Sequence, residues 1–316
     1  MPDDDSGQVR TPHSALWTYL HTARRLYHLA LGAILVAFIV LAAVYWRAIP
    51  PLEAPGEGGA YAIVAKRLCA SSLPACDHLI NVASSAHSGD RLLARPPLYA
   101  WLASASTFWI SPTEEQPCGL NEYASFWDPE TRGNKNVLLH TDSQDGSLEG
   151  VALALFILRA ISVLCSIGTI ILTYRLARII SPTRPAVALG ASALVAFTPS
   201  FVFVGATAGY EALAILLTTA SLYCCLCIAV RAPSSLRPHL SQPLAGRWPA
   251  LSIILWPPII RRALGAGLLV GLTSLAASYG PALLLPFLWA CALCYVRAPS
   301  GERRVIVLAA MAGLVA

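Results

Sequence analysis

Charge is what this sequence has least of. Asp, Glu, Lys and Arg make up 12% of its 316 residues, about half the roughly 25% of an ordinary soluble domain. Hydrophobic residues reach 56%, so water alone is excluded as the solvent of this chain. A cleavable leader is also missing. The first apolar run begins near Leu29 and is too long for a signal-peptide core, so it reads as a signal anchor. Ionisable residues inside the apolar runs are too few for a coupled ion pathway, and no inverted repeat is evident, which argues against a transporter. No basic patch stands apart from the helix ends, so nucleic-acid binding has no support.

What is present is a series of long apolar runs. A helix needs roughly 20 apolar residues to cross a bilayer. Leu29–Trp46, Val151–Tyr174, Pro185–Val204 and Glu211–Val230 read as four spans. Ala263–Tyr279 and Pro281–Val296 read as a fifth and sixth, parted by Gly280-Pro281. Val305–Ala316 begins a seventh and leaves it incomplete, so the chain reads as a fragment or a truncated product. The expected fold is an all-α polytopic membrane protein of about six to seven transmembrane helices. Its parts are a cytoplasmic tail (1–28), the first span (29–46), an external loop region (47–150) with short helices, and the remaining spans (151–316). Leu251–Ile260 is too short to span and is expected to lie in the interface.

Orientation follows from the basic residues of the short loops. Arg10, Arg24 and Arg25 precede the first span, and Arg175, Arg178 and Arg184 follow the second. Arg231, Arg237, Arg247, Arg261 and Arg262 lie between the fourth and fifth, and Arg297, Arg303 and Arg304 after the sixth. The alternate short loops hold none. The N-terminus is therefore assigned to the cytoplasm.

The external loop from Pro51 to Gly150 carries twelve of the seventeen acids and six basic residues. Gly59–Leu68 has helical spacing, Arg95–Ala103 opens a helix with Pro in its first turn, and Pro112–Asp145 is polar and expected to be irregular. Of nine cysteines, Cys69, Cys76 and Cys118 lie in this loop, where oxidation is allowed, and Cys69–Cys76 is the simplest bridge. The others sit in apolar runs, where a thiol acts as a small hydrophobe. Cys291-x-x-Cys294 has redox spacing but no second pair or nearby His. Gly267-x-x-x-Gly271 suits close helix approach.

Four places carry candidate chemistry. Glu53 and Glu57 stand just outside the first span, where an acid could deprotonate an acceptor or simply be solvated. Arg95 precedes Pro96-Pro97-Leu98-Tyr99 and suits a phosphate fork or a lipid head group. Arg159 lies inside the second span, where a cation is costly unless paired or snorkelling. Glu211 stands at the start of the fourth, where the helix dipole favours an acid.

In this order the pieces resemble the type C (GT-C fold) membrane glycosyltransferase superfamily, in particular bacterial relatives of protein mannosyltransferases and aminoarabinose transferases. The likeness runs from about residue 29 to 296 and rests on Arg95–Tyr99, Asn134–His140, Leu158–Val163, Leu172–Arg178 and Ala196–Phe201. It implies transfer of a sugar from a polyprenyl-phosphate donor to an acceptor on the non-cytoplasmic side, with membrane lipids around it. Glu57 would be the catalytic base, made more basic by partial burial. Arg95 or Arg159 would stabilise the leaving phosphate, Tyr99 would line the substrate site, and Glu211 would orient the sugar or share a divalent metal. The sequence itself supports no metal site. Departures accompany the likeness. The family's Asp-Glu reads Gly56-Glu57, its His before Pro-Pro is Arg95, and its Asn/Asp cluster is Gly209-Tyr210-Glu211. Its Lys near the outer end of the fifth span is replaced around Ser278, and its soluble C-terminal portion is missing. The alternative reading is therefore a non-catalytic membrane protein, a pseudoenzyme or truncated relic of that family.

Overall fold

The computed structural model describes residues 12–51, 53, 54, 57, 60, 97–110, 118–120, 138–140, 150–231, 258–298 and 303–315. Helix α1 (Pro12–Ala48) ends where the sequence dictates. A helical carbonyl bonds the N–H four residues on, and Pro50 and Pro51 have none to give to Trp46 and Arg47. After it come α2 (Leu98–Thr107), the three-residue strands β1 (Cys118–Leu120) and β2 (Leu138–His140), and the long α3 (Gly150–Ile180). The strands pair antiparallel, Cys118 opposite His140, inside the stretch expected to be irregular. Gly150 opens α3 with φ of 52°, a conformation that favours glycine.

The apolar run Pro185–Val204 is not one straight helix. It forms α4 (Pro185–Ala196) and α5 (Pro199–Ala206), bent by 62°. Pro199 has no N–H for the Val195 carbonyl, and Thr198 N–H takes it instead at 3.3 Å. Helix α6 (Tyr210–Arg231) follows, then α7 (Pro258–Ala276), a single 3-10 turn (Gly280–Leu283), α8 (Leu284–Arg297) and α9 (Arg303–Val315). Among the described residues four stretches are long and apolar enough to cross a membrane, or five with the bent pair as one, fewer than the six to seven expected. Helix α7 stops at Ala276, before the end of the run Ala263–Tyr279. Beyond Arg261 and Arg262 only 14 residues remain, about 21 Å at 1.5 Å each, against a hydrocarbon core of about 30 Å. The final helix has 13 residues.

Helices α1, α3, α4 and α5 close around Phe38, Ala42, Ile170, Ala196, Val202 and Ala206. Helices α6 to α9 close around a second cluster that includes Cys225, Phe287, Cys291 and Cys294. These thiols are reduced and buried, as part of the packing. Hydroxyls within the helices bond back to carbonyls four residues earlier, as Ser162, Thr169, Ser192, Ser221 and Thr273 do. Each of these five O–H groups is thereby satisfied in an apolar setting. Contact of α3 with α6 joins the halves. At the end of the bundle where α1 stops, Ala60, α2, α3 and Ala208 form a third cluster, and the candidate site lies there.

Candidate functional site

Arg159 sits in α3 beside Leu158 of that third cluster, and both are buried. A guanidinium has five N–H donors, and all five are used. Nε donates to Glu57 Oε1 at 2.6 Å, and Nη2 donates to Glu57 Oε2 at 2.8 Å. Nη1 donates to the carbonyls of Trp46 (3.0 Å) and Ile49 (3.1 Å), and Nη2 also to that of Pro50 (3.3 Å). Trp46 is one of the carbonyls that Pro50 leaves without a helical partner, so the cation of one helix finishes the end of another. Its charge also suits the negative end of the α1 dipole.

Glu57 has no exposed surface. Besides the two-point contact with Arg159, its Oε1 accepts from the Ala208 N–H at 3.0 Å. Ala208 belongs to the Thr207–Gly209 link between α5 and α6. One carboxylate therefore ties together the end of α1, α3 and the start of α6. The rings of Trp46 and Phe156 pack at a tilt of 52°, centroids 4.7 Å apart.

Tyr99 projects from α2 into the same cluster, against Ala60, Ala103, Leu155, Leu158 and Ala208, and is 5% exposed. Its hydroxyl has no hydrogen-bond partner among the described residues. Burial, then the Glu211 carboxylate, then that of Glu57 push its phenol above the ordinary value of 10. The unfolded phenol loses its proton first, so the stability present below pH 10 falls as the pH rises past it. Tyr99→Phe is expected to lessen the loss of melting temperature between about pH 9 and about pH 11. An unchanged alkaline slope would contradict this.

Glu211 occupies the first turn of α6 and is half-buried. Its carboxylate has no hydrogen bond or ion pair among the described residues, and its neighbour Tyr210 packs against the cluster that holds Tyr99. Glu57, Arg159, Tyr99 and Glu211 thus meet at one end of the bundle. Arg95, Gly56 and the proposed Cys69–Cys76 bridge lie outside the described residues. Glu53 is half-buried, its N–H bonded to Pro50 O at 3.4 Å.

Sequence reasoning missed two partners here, the Ala208 N–H and the end of α1. Only the second had a sequence signal, the Pro50-Pro51 pair. Among the described residues no three His, Cys, Asp or Glu side chains gather to hold a metal ion. With Glu57 committed to Arg159, a metal shared by Glu57 and Glu211 does not fit this arrangement.

Residues 136–249 match the family model of dolichyl-phosphate-mannose-protein mannosyltransferase. This is a GT-C family. The matched segment covers a little over a third of the chain and takes in α3 to α6, with Arg159 and Glu211. Glu57 and Tyr99 precede it. No curated protein and no solved structure matches the chain. The match and the apolar helices together support an integral membrane protein of glycosyltransferase type.

Proposed function

We propose that this protein moves a sugar from a polyprenyl-phosphate donor to a hydroxyl or amine acceptor, at the end of the bundle where Glu57, Arg159, Tyr99 and Glu211 meet. The reading rests on one observation: the segment that matches a lipid-linked mannosyltransferase family supplies two of the four residues that converge there. The distribution of arginines supports a non-cytoplasmic side for that end and a cytoplasmic N-terminus, and the plasma (inner) membrane goes with the proposed likeness to bacterial members. The closer likeness to bacterial members, and the choice among sugars and acceptors, belong to the same proposal.

Transfer of this kind asks three things of a protein. It must hold the donor phosphate at the membrane surface, bring the acceptor in line with the anomeric carbon, and remove the acceptor's proton. Arg95, next to the prolines that lead into α2, is the cation proposed for the phosphate. Arg159 has spent its donors on Glu57 and the α1 carbonyls, so we assign it and Glu57 to the frame that fixes α1, α3 and α6. The test is reconstitution in liposomes with radiolabelled polyprenyl-phosphate sugars. Release of polyprenyl phosphate and labelling of an acceptor are expected.

A non-catalytic role is the second reading, and one observation favours it. The position of the family's Asp is Gly56, and its neighbour Glu57 is closed into a fully satisfied pair. Absence of release from every neutral and amino-sugar donor tried, with a folded protein, would decide for it.

A further inference from the structure

The two acids at this end are in opposite states. Glu57 is sealed from solvent, with both oxygens held by Arg159 and one also by a backbone N–H. Glu211 is partly open and its carboxylate is uncommitted among the described residues. A general base must reach the proton it removes, within hydrogen-bond distance of a substrate atom. It must also pass that proton on. Hydrogen bonds from Arg159 and the Ala208 N–H deny both to Glu57, while an uncommitted and partly open carboxylate allows both to Glu211.

Tyr99 supplies the second, independent observation. Its hydroxyl is buried and unpartnered among the described residues, and Tyr210, the neighbour of Glu211, packs against the same cluster. A buried hydroxyl left without a partner is unfavourable, so a ligand oxygen is the natural complement. Flanked by two carboxylates, the phenol stays protonated and donates. Carboxylates nearby would repel a phosphate, so the complement is a neutral, hydroxyl-bearing group such as a sugar ring.

We infer that Glu211, and not Glu57, is the proton acceptor of the transfer, and that Tyr99 donates a hydrogen bond to a hydroxyl of the transferred sugar. This rests on the glycosyl-transfer reading above. In the step, the acceptor O–H bond breaks and its proton moves to the Glu211 carboxylate. The acceptor oxygen bonds the anomeric carbon, and the bond from that carbon to the phosphate oxygen breaks. Its electron pair leaves with polyprenyl phosphate. Glu211 then returns the proton to water through its open side.

The experiment compares wild type, Glu211→Gln and Tyr99→Phe in liposomes. It measures transfer from a polyprenyl-phosphate sugar, and binding of that donor and of bare polyprenyl phosphate. Glu211→Gln should lose transfer by ~10²-fold or more, keep donor binding, and regain part of its rate with added formate. Tyr99→Phe should weaken binding of the sugar-bearing donor and leave bare polyprenyl phosphate unaffected. Transfer by Glu211→Gln within threefold of wild type overturns the base assignment and leaves the enzymatic reading standing. Equal weakening of both lipids in Tyr99→Phe overturns the sugar contact. A folded wild type inactive with every donor overturns the enzymatic reading and this inference with it.

Discussion

Arg159→Leu is expected to lower unfolding stability by about 3–5 kcal/mol, the cost of breaking a buried ion pair from one side. The leucine fills much of the volume but leaves the Glu57 carboxylate charged and sealed, without the two hydrogen bonds that Arg159 donates to it. It also strips donors from the carbonyls of Trp46, Ile49 and Pro50. Glu57→Gln should cost less than Arg159→Leu, because the amide oxygen still accepts from Arg159 Nε and Ala208 N–H. The new side-chain NH2 would nonetheless face an Nη2 that also donates. The double variant Glu57→Gln/Arg159→Leu should fall well short of the sum of the two, since each single change removes the same pair. Thermal unfolding in detergent, monitored by circular dichroism, reads all three. A loss under about 1 kcal/mol for Arg159→Leu would mean that the pair behaves as an exposed one, and the frame assignment would fail. These measurements need no substrate.

Gly267→Val should be the most damaging change in the second half of the chain. An added Cβ at Gly267 lies 1.8 Å from the carbonyl oxygen of Gly313, well inside any allowed contact. The obstacle is backbone, so no rotamer can relieve it, and α7 and α9 must move apart. Gly313 is tight as well, its own Cβ position 2.7 Å from the Ala263 carbonyl oxygen. The expected cost is at least the ~1–3 kcal/mol of an overpacked core, with faster proteolysis of α9. Gly265→Ala is the internal control. Nothing lies within 4 Å of a Cβ there, and alanine is the better helix former by about 1 kcal/mol, so stability should hold or rise. Equal behaviour of the two variants would show that the close approach of α7 and α9 contributes nothing.

Much of the scaffold was legible because its signals are local. Apolar runs are contiguous, and Pro50-Pro51, Pro185 and Gly280-Pro281 punctuate them where helices begin or end. The bend at Pro199 was visible as a residue and not as a bend, since an apolar run can carry a proline straight through when neighbours supply the lost bond. The shortness of α7 was hidden for another reason. Its apolar run continues to Tyr279, but the chain turns after Ala276 and brings Gly280 against the backbone of Ser274, where a Cβ would not fit. Gly267-x-x-x-Gly271 did announce a close helix approach, although its partner, Gly313, could not be named from spacing.

The candidate site was legible as residues and not as relations. Glu57 and Arg159 each stood out alone, one as an acid at the membrane boundary and one as a cation within a span. They are 102 residues apart, and no periodicity links them. Separate roles were therefore the natural reading, whereas together they neutralise each other. Glu211, given the lesser part from sequence, gains importance only once Glu57 is seen to be occupied.

The proline pair after α1 has a consequence for biosynthesis. Trp46 and the arginine that completes its hydrogen bonding are separated by 113 positions, so the ribosome finishes the first helix long before its cap exists. In the interval those carbonyls must find water, which confines that end of α1 to the membrane surface. The first helix is thus held at a fixed depth by its own incompleteness until α3 inserts beside it.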